Sequence, residues 1–161
     1  MTGEFGTKDG PLIVFVCTAN MCRSPMAEYL LKDSLEPGST WRVVSAGTDA
    51  PHGMPPTYQA VQVLKEWGIE MDEHRSNPLT REVVDDASVI IVMTTSHAAR
   101  IRWRFPDAEG KVRLLKSFLR NSYGSDTDIP DPIGLSDVVY RGIRDLMKEA
   151  MPILIDYVEN G

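Results

Sequence analysis

Cysteine is scarce in this chain, with two among 161 residues, Cys17 and Cys22. Two cysteines cannot build a disulfide scaffold. They cannot complete a four-ligand zinc site either, because His52, His74 and His97 are scattered rather than set at metal-ligand spacing. No metal and no cofactor is expected. Long apolar runs are also missing. Stretches such as Ile13 to Cys17 and Val89 to Met93 are far too short to span a bilayer, so no membrane partner is expected. No charged-then-apolar leader with a cleavage site opens the sequence, which points away from secretion and toward a reducing cytoplasm. A basic tail is absent too. Lys and Arg number 17 against 23 Asp and Glu, a net charge of −6, the opposite of the clustered positive charge that nucleic-acid binders carry.

What remains is ordinary globular composition, 42% hydrophobic and 25% charged, at a length that suits one domain with a real core. Residues 1–10 (MTGEFGTKDG) hold three glycines and no period, and read as a flexible leader or a vector-derived remnant ahead of a folded domain over 11–161. Leu12 to Cys17 is a continuous buried-strand run. Ser24-Pro25 reads as a helix cap followed by proline at the first helical position, with Glu28 suited to the early turns of the macrodipole. Met26, Tyr29, Leu30 and Leu35 give that helix an apolar face.

The alternation then repeats. Strands are predicted over 41–46, 88–93 and 111–115, and helices over 57–67 (with Trp67 on the inner side), 80–86 and 96–105. A long last helix, capped by Ser136, carries apolar residues at 3.6-residue spacing, and Pro152 should kink it or shift its start. Strand and helix in turn imply an α/β fold, a three-layer αβα sandwich around a four-stranded parallel sheet, in a single domain. Charge is uneven along the chain. Residues 94–120 hold seven bases against two acids, and residues 121–161 three bases against eight acids. A solvated helix face accounts for the basic stretch.

The segment Cys17-Thr18-Ala19-Asn20-Met21-Cys22-Arg23-Ser24 lies between a buried strand and a helix N-terminus. Ligands of open α/β sheets sit beyond the carboxyl ends of the strands. Successive N–H groups at a helix start form a nest for anions. A lone cysteine at a strand end would read as a small buried hydrophobe. Here the nest, the helix dipole and Arg23 all favour a thiolate. The Arg23 guanidinium offers a planar fork for two phosphoryl oxygens. A thiolate beneath a bound phosphate is an in-line nucleophile.

CTANMCRSPMAE, then Ser45-Ala46-Gly47, then HRSNPLT from His74, then Asp131-Pro132, in that order, resemble the low-molecular-weight protein-tyrosine phosphatases over about residues 11–158. The resemblance implies metal-free, two-step hydrolysis of phosphomonoesters on a phosphotyrosine-bearing protein substrate, by a monomer. It implies Cys17 as nucleophile, Arg23 as phosphate clamp, Asp131 as general acid and then base, and residues Thr18 to Cys22 as the rest of the phosphate loop. Ser24 would donate to the Cys17 sulfur. Asn20 would shape the loop in a left-handed conformation, with Ser45 and His74 as outer members of a supporting hydrogen-bond network; taken alone they read equally as a strand-end serine and an exposed loop histidine. Asp126 and Asp128 compete with Asp131 on sequence grounds alone.

Three departures stand out. Ala19 replaces the usual glycine, so its φ should be negative. Ile133-Gly134 follows Asp131-Pro132 where many members carry two tyrosines, and Thr48 to His52 lacks the family's loop aromatic. A bulky Met21 at the loop rim matches tyrosine-specific members, whereas a branch that hydrolyses phosphoarginine carries threonine there and shares the DP-x-G pattern. Arsenate reductase, which shares the fold, relays a disulfide through two further cysteines that this chain lacks. A phosphoprotein-binding module without catalysis is the other alternative. Cys22, five positions after Cys17, is a candidate partner for a reversible disulfide.

Overall fold

The computed structural model describes residues 10–120 and 126–161. Residues 1–9 of the expected leader, and 121–125 of the loop before Asp131, lie outside them. Four strands, β1 (Leu12–Cys17), β2 (Arg42–Gly47), β3 (Val89–Val92) and β4 (Val112–Leu114), form one parallel sheet in the order β2-β1-β3-β4. Helices α1 (Arg23–Ser34), α2 (Tyr58–Lys65), α3 (Arg81–Asp86), α4 (Thr95–Arg104) and α5 (Asp137–Asn160) surround it. The αβα sandwich expected from the alternation is therefore present.

The strands alternate their buried residues between two cores, as a parallel sheet covered on both faces requires. Ile13, Phe15 and Cys17 of β1 point to one face and pack with Met26, Leu30 and Leu31 of α1, Leu64 of α2 and Met147 and Leu154 of α5. Leu12, Val14 and Val16 point to the other, with Val84 of α3 and Ile101 of α4. The chain leaves β1 toward β2 on one side and returns to β3 on the other. The end of β1 is thus the point where strand order reverses, and a crevice opens there. Cys17 is its last residue, paired with Gly47 at the end of β2.

Several local expectations give way to packing. Ser24 is not the cap of α1. The helix starts two residues earlier than expected, at Arg23, Cys22 occupies the cap position without a side-chain bond, and the Ser24 hydroxyl is taken by other partners. Glu28 lies in the early turns of α1 as expected, but it is enclosed there. The first turns of α1 are buried on all sides, and Glu28 is only 6% exposed. Trp67 lies beyond α2, not on its inner side. It is exposed past the end of α2, with the Arg144 guanidinium over its ring 3.9 Å from the centroid. Helix α4 begins at Thr95, because the Thr94 hydroxyl accepts the His97 N–H. Ser136 precedes α5 with extended backbone but makes no side-chain cap bond. Pro152 does not shift the start of α5, which runs on through it. The buried stripe of Tyr140, Ile143, Met147, Ala150, Met151 and Leu154 outweighs the one hydrogen bond that proline removes.

Gly47 is where the sheet meets the loop after β1. A Cβ there would collide with the Thr18 carbonyl and lie 2.7 Å from the Ala50 Cβ and 3.1 Å from the Asn20 nitrogen. Backbone on both sides leaves no flexible group to yield. Gly47→Ala should cost about 1–3 kcal/mol in urea unfolding. A variant as stable as the parent would contradict this close approach.

Candidate active site

The loop from Cys17 to Ser24 closes over the N-terminus of α1 and is held from inside by Asn20. Asn20 has φ 57°, the only positive φ among the described non-glycine residues, so Ala19 avoids the left-handed region as expected. Asparagine tolerates that conformation because its short side chain bonds locally. The Asn20 amide donates to Ser24 Oγ at 2.8 Å and to Ser45 Oγ at 2.9 Å, and its Oδ1 accepts from the Asn77 N–H at 2.9 Å. Its carbonyl lies 2.8 Å from His74 Nε2. A carbonyl only accepts, so Nε2 carries the proton. Every hydrogen-bonding group of the Asn20 side chain is satisfied in a fully buried setting.

Ser45 passes the network on, donating to Glu28 Oε1 at 2.6 Å. Glu28 Oε1 lies 4.0 Å from His74 Nδ1, and Lys32 closes the other carboxylate oxygen at 2.5 Å. Glu28 and Asn77 are members that sequence reasoning missed. The available signal for Glu28 was a carboxylate among Met26, Ala27, Leu30 and Leu31 of the same helix. His74, read from sequence as either a network member or an exposed loop residue, is buried.

The Cys17 sulfur lies 2.9 Å from Ser24 Oγ. Ser24 already accepts from Asn20, so its single proton can go to the sulfur or to the Ala46 carbonyl at 3.4 Å. The shorter contact favours the sulfur. Around it, none of the backbone N–H groups from Ala19 to Cys22 donates a hydrogen bond to another protein group among the described residues. Arg23 is 5% exposed. Its Nη1 donates to the Ile129 carbonyl at 3.0 Å, its Nη2 lies 3.7 Å from Asp131 Oδ2, and its buried Nε has no hydrogen-bond partner among the described residues. Buried N–H groups are nearly always satisfied. An oxyanion above Cys17 is the partner that both the Nε and the loop amides fit.

Three aspartates were candidates near this site, and their contacts separate them. Asp126 pairs with Lys116 at 2.5 Å, and Asp128 accepts from the Thr95 N–H at the start of α4 at 2.8 Å. Asp131 alone faces the loop. Its Oδ1 accepts from the Ile133 N–H at 3.1 Å and lies 3.8 Å from Cys22 Sγ, which leaves Oδ2 beside Arg23. Both cysteines are free. Burial first, then the Cys17 and Asp131 charges, push the Cys22 thiol up to about 12. A thiol held protonated is a slow nucleophile toward an oxidised Cys17 at neutral pH. Three of the seven bases of the basic stretch pair with carboxylates, Arg100 with Asp49, Arg102 with Glu109 and Lys116 with Asp126. Among the described residues no cluster suited to a metal is found and no helix is long and apolar enough to cross a membrane.

Unpaired loop amides over a cysteine at the end of a parallel strand, with an arginine inside the loop and an aspartate at its edge, suit a bound oxyanion. The comparisons give the class of protein. The chain matches the model for the low molecular weight phosphotyrosine protein phosphatases over residues 12–160 and belongs to that family. It is 42% identical over 147 residues to a protein-arginine-phosphatase of Geobacillus stearothermophilus, covering 91% of this chain and 95% of that one. A probable low molecular weight protein-tyrosine-phosphatase of Ralstonia solanacearum is 42% identical over 120 residues, covering 74% and 77% of the two chains. The solved structure of the YwlE arginine phosphatase of Geobacillus stearothermophilus superposes with a TM-score of 0.83 at 41% identity, over 92% of this chain and 93% of that one.

Two consequences can be measured. Ser45→Ala leaves the buried Glu28 oxygen and one Asn20 N–H without a partner, and should cost about 1–3 kcal/mol in urea unfolding. Unchanged stability would contradict the network. Burial, then the Arg23 charge, lower His97 from 6.5 to about 4. Between those values the unfolded chain takes up a proton that the native protein refuses, so stability should fall as pH drops from about 6.5 toward 4. His97→Phe should make that fall shallower, and an unchanged slope would exclude His97 as its source.

Proposed function

We propose that this chain hydrolyses phosphotyrosine monoesters on protein substrates through a cysteinyl-phosphate intermediate. The observation that carries the reading is the buried, unpartnered Arg23 Nε beside the unpaired loop amides above Cys17. The phosphoryl group lies in the loop with its oxygens on those donors. The Cys17 thiolate attacks phosphorus in line, and a sulfur–phosphorus bond forms as the bond to the tyrosyl oxygen breaks. Asp131 gives its proton to that leaving oxygen. Asp131 then takes a proton from water, whose oxygen attacks phosphorus. Inorganic phosphate departs, and the thiolate is received by the Ser24 hydroxyl at 2.9 Å. Two free cysteines suit a reducing compartment such as the cytoplasm, and a monomer suffices for this chemistry.

Met21 supports phosphotyrosine over other esters. It is half-buried at the loop rim, where a thioether packs well against an aromatic ring. Phosphoarginine is the second reading. It is favoured by the name of the Geobacillus stearothermophilus relative, in sequence and in solved structure, and by Ile133-Gly134 after Asp131-Pro132, where Ile133 is 58% exposed and Gly134 adopts φ 76°.

Metal-free hydrolysis of phosphotyrosine peptide should vanish in Cys17→Ser and fall about 10²–10⁴-fold in Asp131→Asn. Activity that survives Cys17→Ser would refute the mechanism. Phosphotyrosine, phosphoserine and phosphoarginine peptides then separate the substrates. The wild type should prefer phosphotyrosine, and Met21→Thr should move the ratio of kcat/KM values toward phosphoarginine by about tenfold. Faster wild-type hydrolysis of phosphoarginine would favour the second reading instead.

A further inference from the structure

The turn between β3 and α4 makes contacts that the proposed chemistry does not use. His97 is 4% exposed there, with Nδ1 3.0 Å from Thr94 Oγ1 and Nε2 2.9 Å from Thr18 Oγ1. Thr18 is the residue after Cys17. The same turn also grips the segment that leads to Asp131. The Thr95 N–H donates to Asp128 Oδ1 at 2.8 Å, and the Ile129 N–H donates to the Met93 carbonyl at 2.8 Å. Arg23 closes the circuit through the Ile129 carbonyl. One rigid corner of the sheet therefore touches both the nucleophile loop and the acid segment.

Thr94 Oγ1 accepts the His97 N–H at 3.1 Å and still has its own proton to give. The tautomer in which that proton goes to Nδ1 leaves Nε2 protonated and donating to Thr18 Oγ1. Thr18, exposed at the loop, keeps its hydroxyl proton for a partner other than the ring. A charged imidazole is opposed by burial and by Arg23, with Asp128 and Asp131 pulling the other way.

We infer that His97 takes the Nε2–H tautomer and is a positioning residue for the phosphate loop: through Nε2 it fixes Thr18, and with it Cys17, relative to the Asp131 segment that the same turn anchors. This rests on the phosphatase reading above. Reaction geometry tolerates little displacement, so a contact of this kind acts on turnover more than on substrate affinity.

The test is a double-mutant cycle of Thr18→Val, which keeps shape and loses the acceptor, and His97→Phe, which keeps a ring and loses both nitrogens. With p-nitrophenyl phosphate, each single variant should lower kcat about five- to tenfold with KM within about twofold of wild type. The double variant should be no worse than the more impaired single one, because the two share one contact. A Thr18→Val kcat equal to wild type, or losses that multiply in the double variant, overturns the inference. Nitrogen NMR of the wild type at pH 6 should show a neutral His97 with the proton on Nε2. An Nδ1–H tautomer or an imidazolium overturns it, whether or not His97→Phe folds. A wild type without hydrolytic activity would instead refute the phosphatase reading. The ring-nitrogen shifts of His97 would then still decide the contact: Thr18→Val should move the Nε2 resonance, and an unmoved resonance overturns the inference.

Discussion

A single residue in a left-handed conformation holds the site open. Asn20 turns the chain back on itself between β1 and α1, and four hydrogen bonds from its amide and backbone carbonyl make that turn the stable one. With the side chain spent on Ser24, Ser45 and Asn77, the loop amides have no internal partner to collapse onto. The strain of φ > 0, on the order of 1 kcal/mol, is offset by bonds that only this conformation allows. The consequence reaches into chemistry. Asn20 occupies one side of the Ser24 oxygen, and the remaining proton of Ser24 is free to face the Cys17 sulfur. A structural bond thus sets the direction of a functional one.

The surrounding charges are arranged so that an anion completes them. Arg23 is buried with one nitrogen on a backbone carbonyl, one beside Asp131 and one without a partner. Placing an incompletely paired guanidinium in the core is costly, and a dianionic phosphoryl group is the ligand that matches its planar fork. The net charge of −6 says nothing of this local field. The neighbouring carboxylate Glu28 does not compete for Arg23, because Ser45 and Lys32 take it up on the other side of α1.

The sequence made the architecture legible because its signals were local. A continuous apolar run marked β1, alternation marked the sheet, and the helices expected from 57 and 80 do start behind Thr57 and Thr80, whose hydroxyls accept the Ala60 and Val83 N–H groups. Cys17, Arg23 and Asn20 were legible because their residue types and spacing fit one kind of chemistry at one place in the fold. Features that depend on what packs against them were not legible. Glu28 reads only as a charge suited to the macrodipole until the first turns of α1 are seen to be buried. Trp67 reads as core until Arg144 is found above it. Ser24 reads as a cap until the sulfur and Asn20 claim its hydroxyl. His97 gave no signal, because its partner Thr18 is 79 positions away. Among the three aspartates, hydrogen bonding to α4 and to Lys116 removes two from the loop, which no pattern of sequence expresses.

The claim on which the rest turns is that the Cys17 sulfur takes the phosphoryl group inside this nest. Rapid acid quench of the protein during turnover of ³²P-labelled phosphotyrosine peptide, followed by peptide mapping, tests it directly. The account predicts a transient label on the peptide that carries Cys17, formed without metal and prolonged in Asp131→Asn. Turnover with no protein-bound label, or with the label on another residue, would contradict it.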